Sequence, residues 1–205
     1  EPTRVAVDQL IESVGSEGPL VWSDNAQQAC YLELWRLRQG DLSQTTSIVE
    51  RLRAGADDPN PADGRNALCA LTLEVIRADK TGSSEAADLI QRLVDVLDDG
   101  PSFSALGGLR MELAWILEER GEVETAARVV RYNSTPTLNP FSFAMSSVNR
   151  AAGRLNDMAG DHARALQFYR SFVLARGNAD SRLSDEVESI VSRITELEAE
   201  LDQRR

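Results

Sequence analysis

Four sets of residues in this chain have side chains capable of chemistry. His162, the only histidine, stands beside Asp161. An imidazole next to a carboxylate can serve as a general base. Here it has no partner nucleophile, because no Ser or Cys stands in a recognisable nucleophile motif. The pair also falls in a glycine turn, a poor place to exclude water. We read both as turn residues and expect no catalytic residue. Cys30 and Cys69 are the only cysteines. They form no C-x-x-C pair, and a single His cannot complete a zinc set with them. The expectation is two buried, small apolar side chains. The alternative is a disulfide between neighbouring helices, which would imply an oxidising compartment.

The acidic segment AGADDPNPADG (54–64) lacks the ligand spacing and closing Glu of a calcium loop, so it reads as a solvated linker. Gly107-Gly108 is a lone pair and not a phosphate-binding loop. No metal and no cofactor is expected. The fourth set is Arg150 and Arg154, one turn apart on one helix face. They could grip a carboxylate, or they could form a solvated face with local Glu and Asp partners that contribute little.

Charge narrows the partners. The net charge is −11 over 205 residues. Affinity for phosphate comes from Lys and Arg, so nucleic acid is disfavoured, as are anionic membrane surfaces. No apolar run approaches the roughly 20 residues that span a bilayer, and no direct membrane insertion is expected. Lys80 is the only lysine. That bias towards Arg fits a GC-rich genome and points to a bacterial source, cytoplasmic or periplasmic. The chain starts at Glu1, not Met, and reads as a processed or excerpted piece, with room for a signal or anchor upstream.

The elements that must position these residues are helices. Val5, Val7, Leu10 and Ile11 give a short opening helix over 4–13. Ser23 or Asp24 can cap the next one. Apolar residues then recur at three- and four-residue steps in helix pairs over about 24–55, 62–98, 105–132 and 141–176. No stretch alternates at period two for long enough to make a strand. The expected class is all-α. At the C-terminus (about 180–203), Leu183, Val187, Ile190, Ile194, Leu197 and Leu201 form a heptad seam. It suits a capping helix on the fourth pair, or alternatively a coiled coil that dimerises the chain or joins a larger complex.

Within the pairs a loop glycine recurs, at Gly40, Gly82, Gly121 and Gly160, at intervals of 42, 39 and 39 residues. A fixed period of this size marks a solenoid of supersecondary units. Small residues recur at matched offsets from it. Ala114 and Gly153 lie seven before the glycine, Ala126 and Ala165 five after it, and Val130 and Tyr169 nine after it. Small residues facing each other let antiparallel helices approach closely. Glu33 and Val75 take the first slot in pairs one and two, and Thr45 and Ala87 the second.

This pattern resembles the tetratricopeptide repeat (TPR), most clearly in pairs three and four. The period is longer than that family's usual repeat of about 34 residues, which leaves a looser TPR-like superhelix open. The run from Gly160 onwards looks like the end of TPR regions in bacterial multidomain kinases and regulators. The resemblance implies a right-handed α-solenoid of about four helix pairs, with an extra N-terminal helix and a C-terminal cap, in a single domain over 1–205. It implies a non-enzymatic scaffold that holds a peptide or protein segment against the leading helix of each pair. Carried over residue by residue, the concave wall would comprise Thr72, Ile76 and Asp79, then Met111, Trp115, Glu118 and Glu119, then Ser147, Arg150, Arg154 and Asp157. Trp115 would be the anchor, unless it packs as ordinary core. The other function class is a structural accessory subunit joined through the terminal heptad helix.

Overall fold

The computed structural model describes residues 18–20, 25–56, 58–61, 64–99, 107–130, 142–176 and 184–203. The expected opening helix over 4–13, the caps Ser23 and Asp24, and Leu183 of the seam lie outside them. Among the described residues every regular element is a helix. They divide into two compact units, 1–101 and 102–205. The first holds α1 (Gln27–Arg38), α2 (Thr45–Ala54), α3 (Arg65–Thr81) and α4 (Ala86–Asp99). The second holds α5 (Gly107–Glu119), α6 (Val123–Val129), α7 (Ser142–Met158), α8 (His162–Arg176) and α9 (Ser184–Gln203).

The loop glycines make four equivalent turns. Gly40, Gly82, Gly121 and Gly160 have φ of +82°, +63°, +80° and +76°. Each donates its N–H to the carbonyl three residues back, and the following residue donates to the carbonyl five back. At Gly160 these bonds are 3.0 Å to Asp157 and 2.9 Å from Asp161 to Asn156. This is the Schellman closure, which satisfies the last carbonyls of a helix through one left-handed residue. Hence α1, α3, α5 and α7 all end alike, and each hands the chain to a trailing helix.

The small-residue slots are filled in three different ways. In the fourth pair Gly153 is in contact with the Tyr169 ring. A Cβ on Gly153 would stand 2.5 Å from that ring's Cδ1. In the third pair Ala114 and Ala126 are fully buried. In the first pair the slot is not small: Glu33 and Thr45 are both buried, and the Thr45 hydroxyl donates to Glu33 Oε1 at 2.6 Å. The second pair corrects the expected offset. Ala87 is exposed and Ala86 is buried, because α4 presents its face one residue earlier after the Ser83–Glu85 turn.

Cys30 and Cys69 correct a second expectation. They are buried but not free: they form a disulfide joining α1 to α3, with Cα atoms 6.2 Å apart. Nearby, the Asn66 side-chain amide donates to the carbonyls of Leu20 (2.5 Å), Gly55 (2.9 Å) and Leu52 (3.2 Å), strapping the start of α3 to α2 and to the segment before α1.

In the second unit the apolar seam of α9 packs on α8. Ile190 and Leu197 join Ala165, Leu166, Tyr169 and Phe172 in one buried cluster, flanked by Val173, Val187, Ile194 and Leu201. The seam is therefore covered within the chain.

Two glycines offer a contrast in mechanism. Gly160→Ala meets no atom within 4 Å and should cost about 1–2 kcal/mol through the left-handed backbone alone. Gly153→Ala gains helix propensity of about 1 kcal/mol but displaces a packed ring at about 1–3 kcal/mol, so a net loss is expected. Urea denaturation of both variants measures this. In the Gly153→Ala, Tyr169→Leu double variant the overlap is relieved, and the alanine should no longer destabilise.

Candidate functional site

Within each unit, links join the leading helices, over 39 residues in the first and 36 in the second. In the first unit the link is the disulfide, 39 residues apart, where the glycine spacing is 42. In the second unit the links are ion pairs 36 residues apart, where the spacing is 39. Arg154 of α7 grips Glu118 of α5 with both guanidinium nitrogens, Nη2 to Oε2 at 2.6 Å. Arg193 of α9 grips Asp157 of α7, Nε and Nη2 at 2.8 Å each. Arg150 of α7 pairs with Glu186 of α9. The disulfide and the Arg154–Glu118 pair each fall three residues short of the glycine spacing, and the links to α9 repeat the 36-residue interval. Ion pairs thus tie α9 to α7 and α7 to α5, while the main packing of α9 is on α8.

Two fork-to-fork Arg–carboxylate contacts give direction as well as charge to these junctions. Arg193 extends its junction by donating to Glu196 at 2.8 Å and Glu200 at 3.2 Å. Its hydrogen bonding holds the Asp157 carboxyl below the usual carboxylate range, against the opposing effect of burial. The Arg154 hydrogen bonds do the same for Glu118. The Tyr169 phenol, beneath this network and hydrogen-bonded to Asp157, is pushed up to about 12, first by burial and then by the Asp157 charge. His162 Nδ1 lies 2.9 Å from Glu200 Oε2 without the alignment of a hydrogen bond.

The predicted wall residues fall into distinct places. Thr72, Ile76 and Asp79 belong to the first unit. Thr72 is fully buried with its hydroxyl bonded to the Leu68 carbonyl at 2.9 Å, and Ile76 is buried, so neither offers surface to a partner. Asp79 is half-buried. In the second unit Met111 is buried as well. The residues left with surface are Trp115 and Glu118, half-buried, and Glu119, Ser147, Arg150 and Arg154, exposed. The Glu118–Arg154 contact brings α5 and α7 together. Asp157 is drawn instead towards α9. The two arginines thus have Glu partners on flanking helices, each 36 residues away and not local in sequence.

Sequence reasoning missed three anchors of this arrangement. Buried Arg110 of α5 donates to the Val129 carbonyl at the end of α6, at 3.0 Å. A guanidinium at a helix C-terminus meets free carbonyls and a favourable dipole. Arg176 Nε reaches Ser146 Oγ at 2.7 Å, closing the far end of the α7–α8 pair. Arg193 was legible only as a charge beside a seam. Its partner lies 36 residues away, and nothing local marks it.

The first unit contains a hollow of about 220 Å³ among α2, α3 and α4, walled by Pro59, Pro61, Ala67 and Leu71 with Arg53 and Arg92 at its edge. Arg53 is held there by Glu74 at 2.7 Å. None of the predicted wall residues lines it. Among the described residues no helix is long and apolar enough to cross a membrane. No family model, curated protein or solved structure matches the chain.

The pKa directions fix a pH dependence. Asp157 and Glu118 are both more acidic folded than unfolded, so their contribution is full above the ordinary carboxylate range and is lost as pH falls through it. Asp157→Asn should therefore lower the thermal midpoint at pH 7, and the gap from wild type should narrow as pH falls below the ordinary carboxylate range. A gap unchanged across that range would mean that the Asp157 charge contributes nothing. Tyr169 has the opposite sign: its contribution holds below pH 10 and fades as pH rises towards about 12.

Proposed function

We propose that this chain is a non-enzymatic scaffold, a TPR-like right-handed α-solenoid that holds a peptide or protein segment along the leading helices of its pairs. The observation that carries the reading is the constant register of the links between leading helices. A single repeated turn and a single repeated offset are what stacked identical hairpins require, because each unit contacts only its neighbours. The Schellman turns supply the first. The disulfide and the 36-residue ion pairs supply the second.

The contact face of the second unit, on this reading, runs across α5 and α7 and consists of Trp115, Glu118, Glu119, Ser147, Arg150 and Arg154. The aromatic ring offers rigid apolar area and the arginines offer planar donors, the residue types that dominate interface energies. The fitting segment is extended or helical, with an apolar side chain for Trp115 and carboxylates for Arg150 and Arg154. Assembly through the C-terminal helix has less support, since its apolar seam is spent on α8.

Selection of displayed random peptides on the immobilised chain tests this. Recovered sequences should combine an apolar residue with acids. Trp115→Ala should weaken them by about 2 kcal/mol, roughly 30-fold, with the circular dichroism spectrum unchanged. Glu119→Arg, an exposed change on the same face, should alter affinity without altering the unfolding midpoint. Peptides that bind all variants equally would place the contact elsewhere.

A further inference from the structure

We propose that the Cys30–Cys69 bond is a permanent strut and that the chain works in an oxidising compartment. The inference stands on the cysteines and their surroundings and does not rest on the binding face above. Both cysteines of the chain are consumed in the bond, and their side chains are 1% and 0% exposed. A redox sensor needs a reachable sulfur near a group that favours the thiolate. This bond has no such access, so it is not a switch.

The same helix carries the reason a strut is needed. Glu33, one turn after Cys30, brings a carboxylate into the interior. Its Oε1 accepts from Thr45, while Oε2 has no hydrogen-bond partner and lies 3.5 Å from Arg36. Burying an incompletely satisfied carboxylate opposes the docking of α1. A cross-link that spans 39 residues lowers the entropy of the undocked chain and offsets that penalty.

Forming the bond removes two protons and two electrons from the two thiols. Thiol–disulfide exchange balances this. A protein disulfide oxidant is attacked by one thiolate to give a mixed disulfide. The second thiolate then displaces it, and the oxidant leaves as its dithiol. Such oxidants act outside the reducing cytosol, where glutathione and thioredoxin keep thiols reduced.

Two measurements test the proposal. Cells of the source organism are quenched in acid, and the precipitate is dissolved in denaturant at neutral pH and treated with a polyethylene-glycol maleimide, with and without prior reduction. The expected result is no added mass until reduction, then two additions. Two additions without reductant would overturn the compartment. Separately, hydrogen exchange is followed on the purified chain with and without a phosphine reductant. Amides of 27–38 should lose protection by about tenfold or more while those of 162–176 hold theirs. Equal protection of 27–38 in both states would overturn the strut.

Discussion

The fold depends on a glycine that accepts a left-handed backbone at the end of each leading helix. A helix leaves its last carbonyls without partners, and here one residue at positive φ lets its own N–H and that of the next residue return to them. The chain leaves that turn reversed. Trailing helices then lie against leading ones, and the distance from the turn fixes which residues meet. That is why Ala126 and Ala165, five residues after their glycines, are both buried, and why Tyr169 lies over Gly153. Where the turn differs slightly, the face shifts with it, as at Ala86.

The second level of order is the link from one leading helix to the next. Sulfur does it in the first unit and charge in the second, at the same offset from the period. The two chemistries are not equivalent. A disulfide restrains the unfolded chain whatever the salt or pH, whereas half-exposed ion pairs contribute little individually, are screened by salt and weaken in acid. The first unit carries the firmer link beside the polar pair Glu33 and Thr45, which fill a slot that is apolar in the other pairs. The second unit compensates with apolar burial, since α9 adds Ile190 and Leu197 to the α8 face.

How much of this was legible follows from how local each signal is. The turns were legible because a glycine between two apolar-periodic runs is a statement about a few neighbouring residues. The seam of α9 was legible for the same reason, and its packing on α8 fits the capping reading. The disulfide was legible only as the alternative, since two cysteines 39 residues apart do not say whether their Cβ atoms converge. Nor were Arg110, Arg176 and Asn66, whose partners are backbone carbonyls or a hydroxyl on other helices. The wall residues were half legible. The helix face was inferable, but Thr72, Ile76 and Met111 are buried by packing that the repeat offset cannot express.

The paired state of the arginines bears directly on the proposed function. Strong internal ion pairs would close this face to acidic partners. The magnitudes argue otherwise. Arg150 and Arg154 are half-exposed, and exposed ion pairs are worth about 0–1 kcal/mol. Exchanging Glu118 for a partner's carboxylate therefore costs little, while the arginine stays oriented by its neighbours. A net charge of −11 slows the approach of acidic chains from a distance. Selectivity would then fall on segments that add apolar contact at Trp115, because charge alone gives an acidic ligand no advantage over the residues already there.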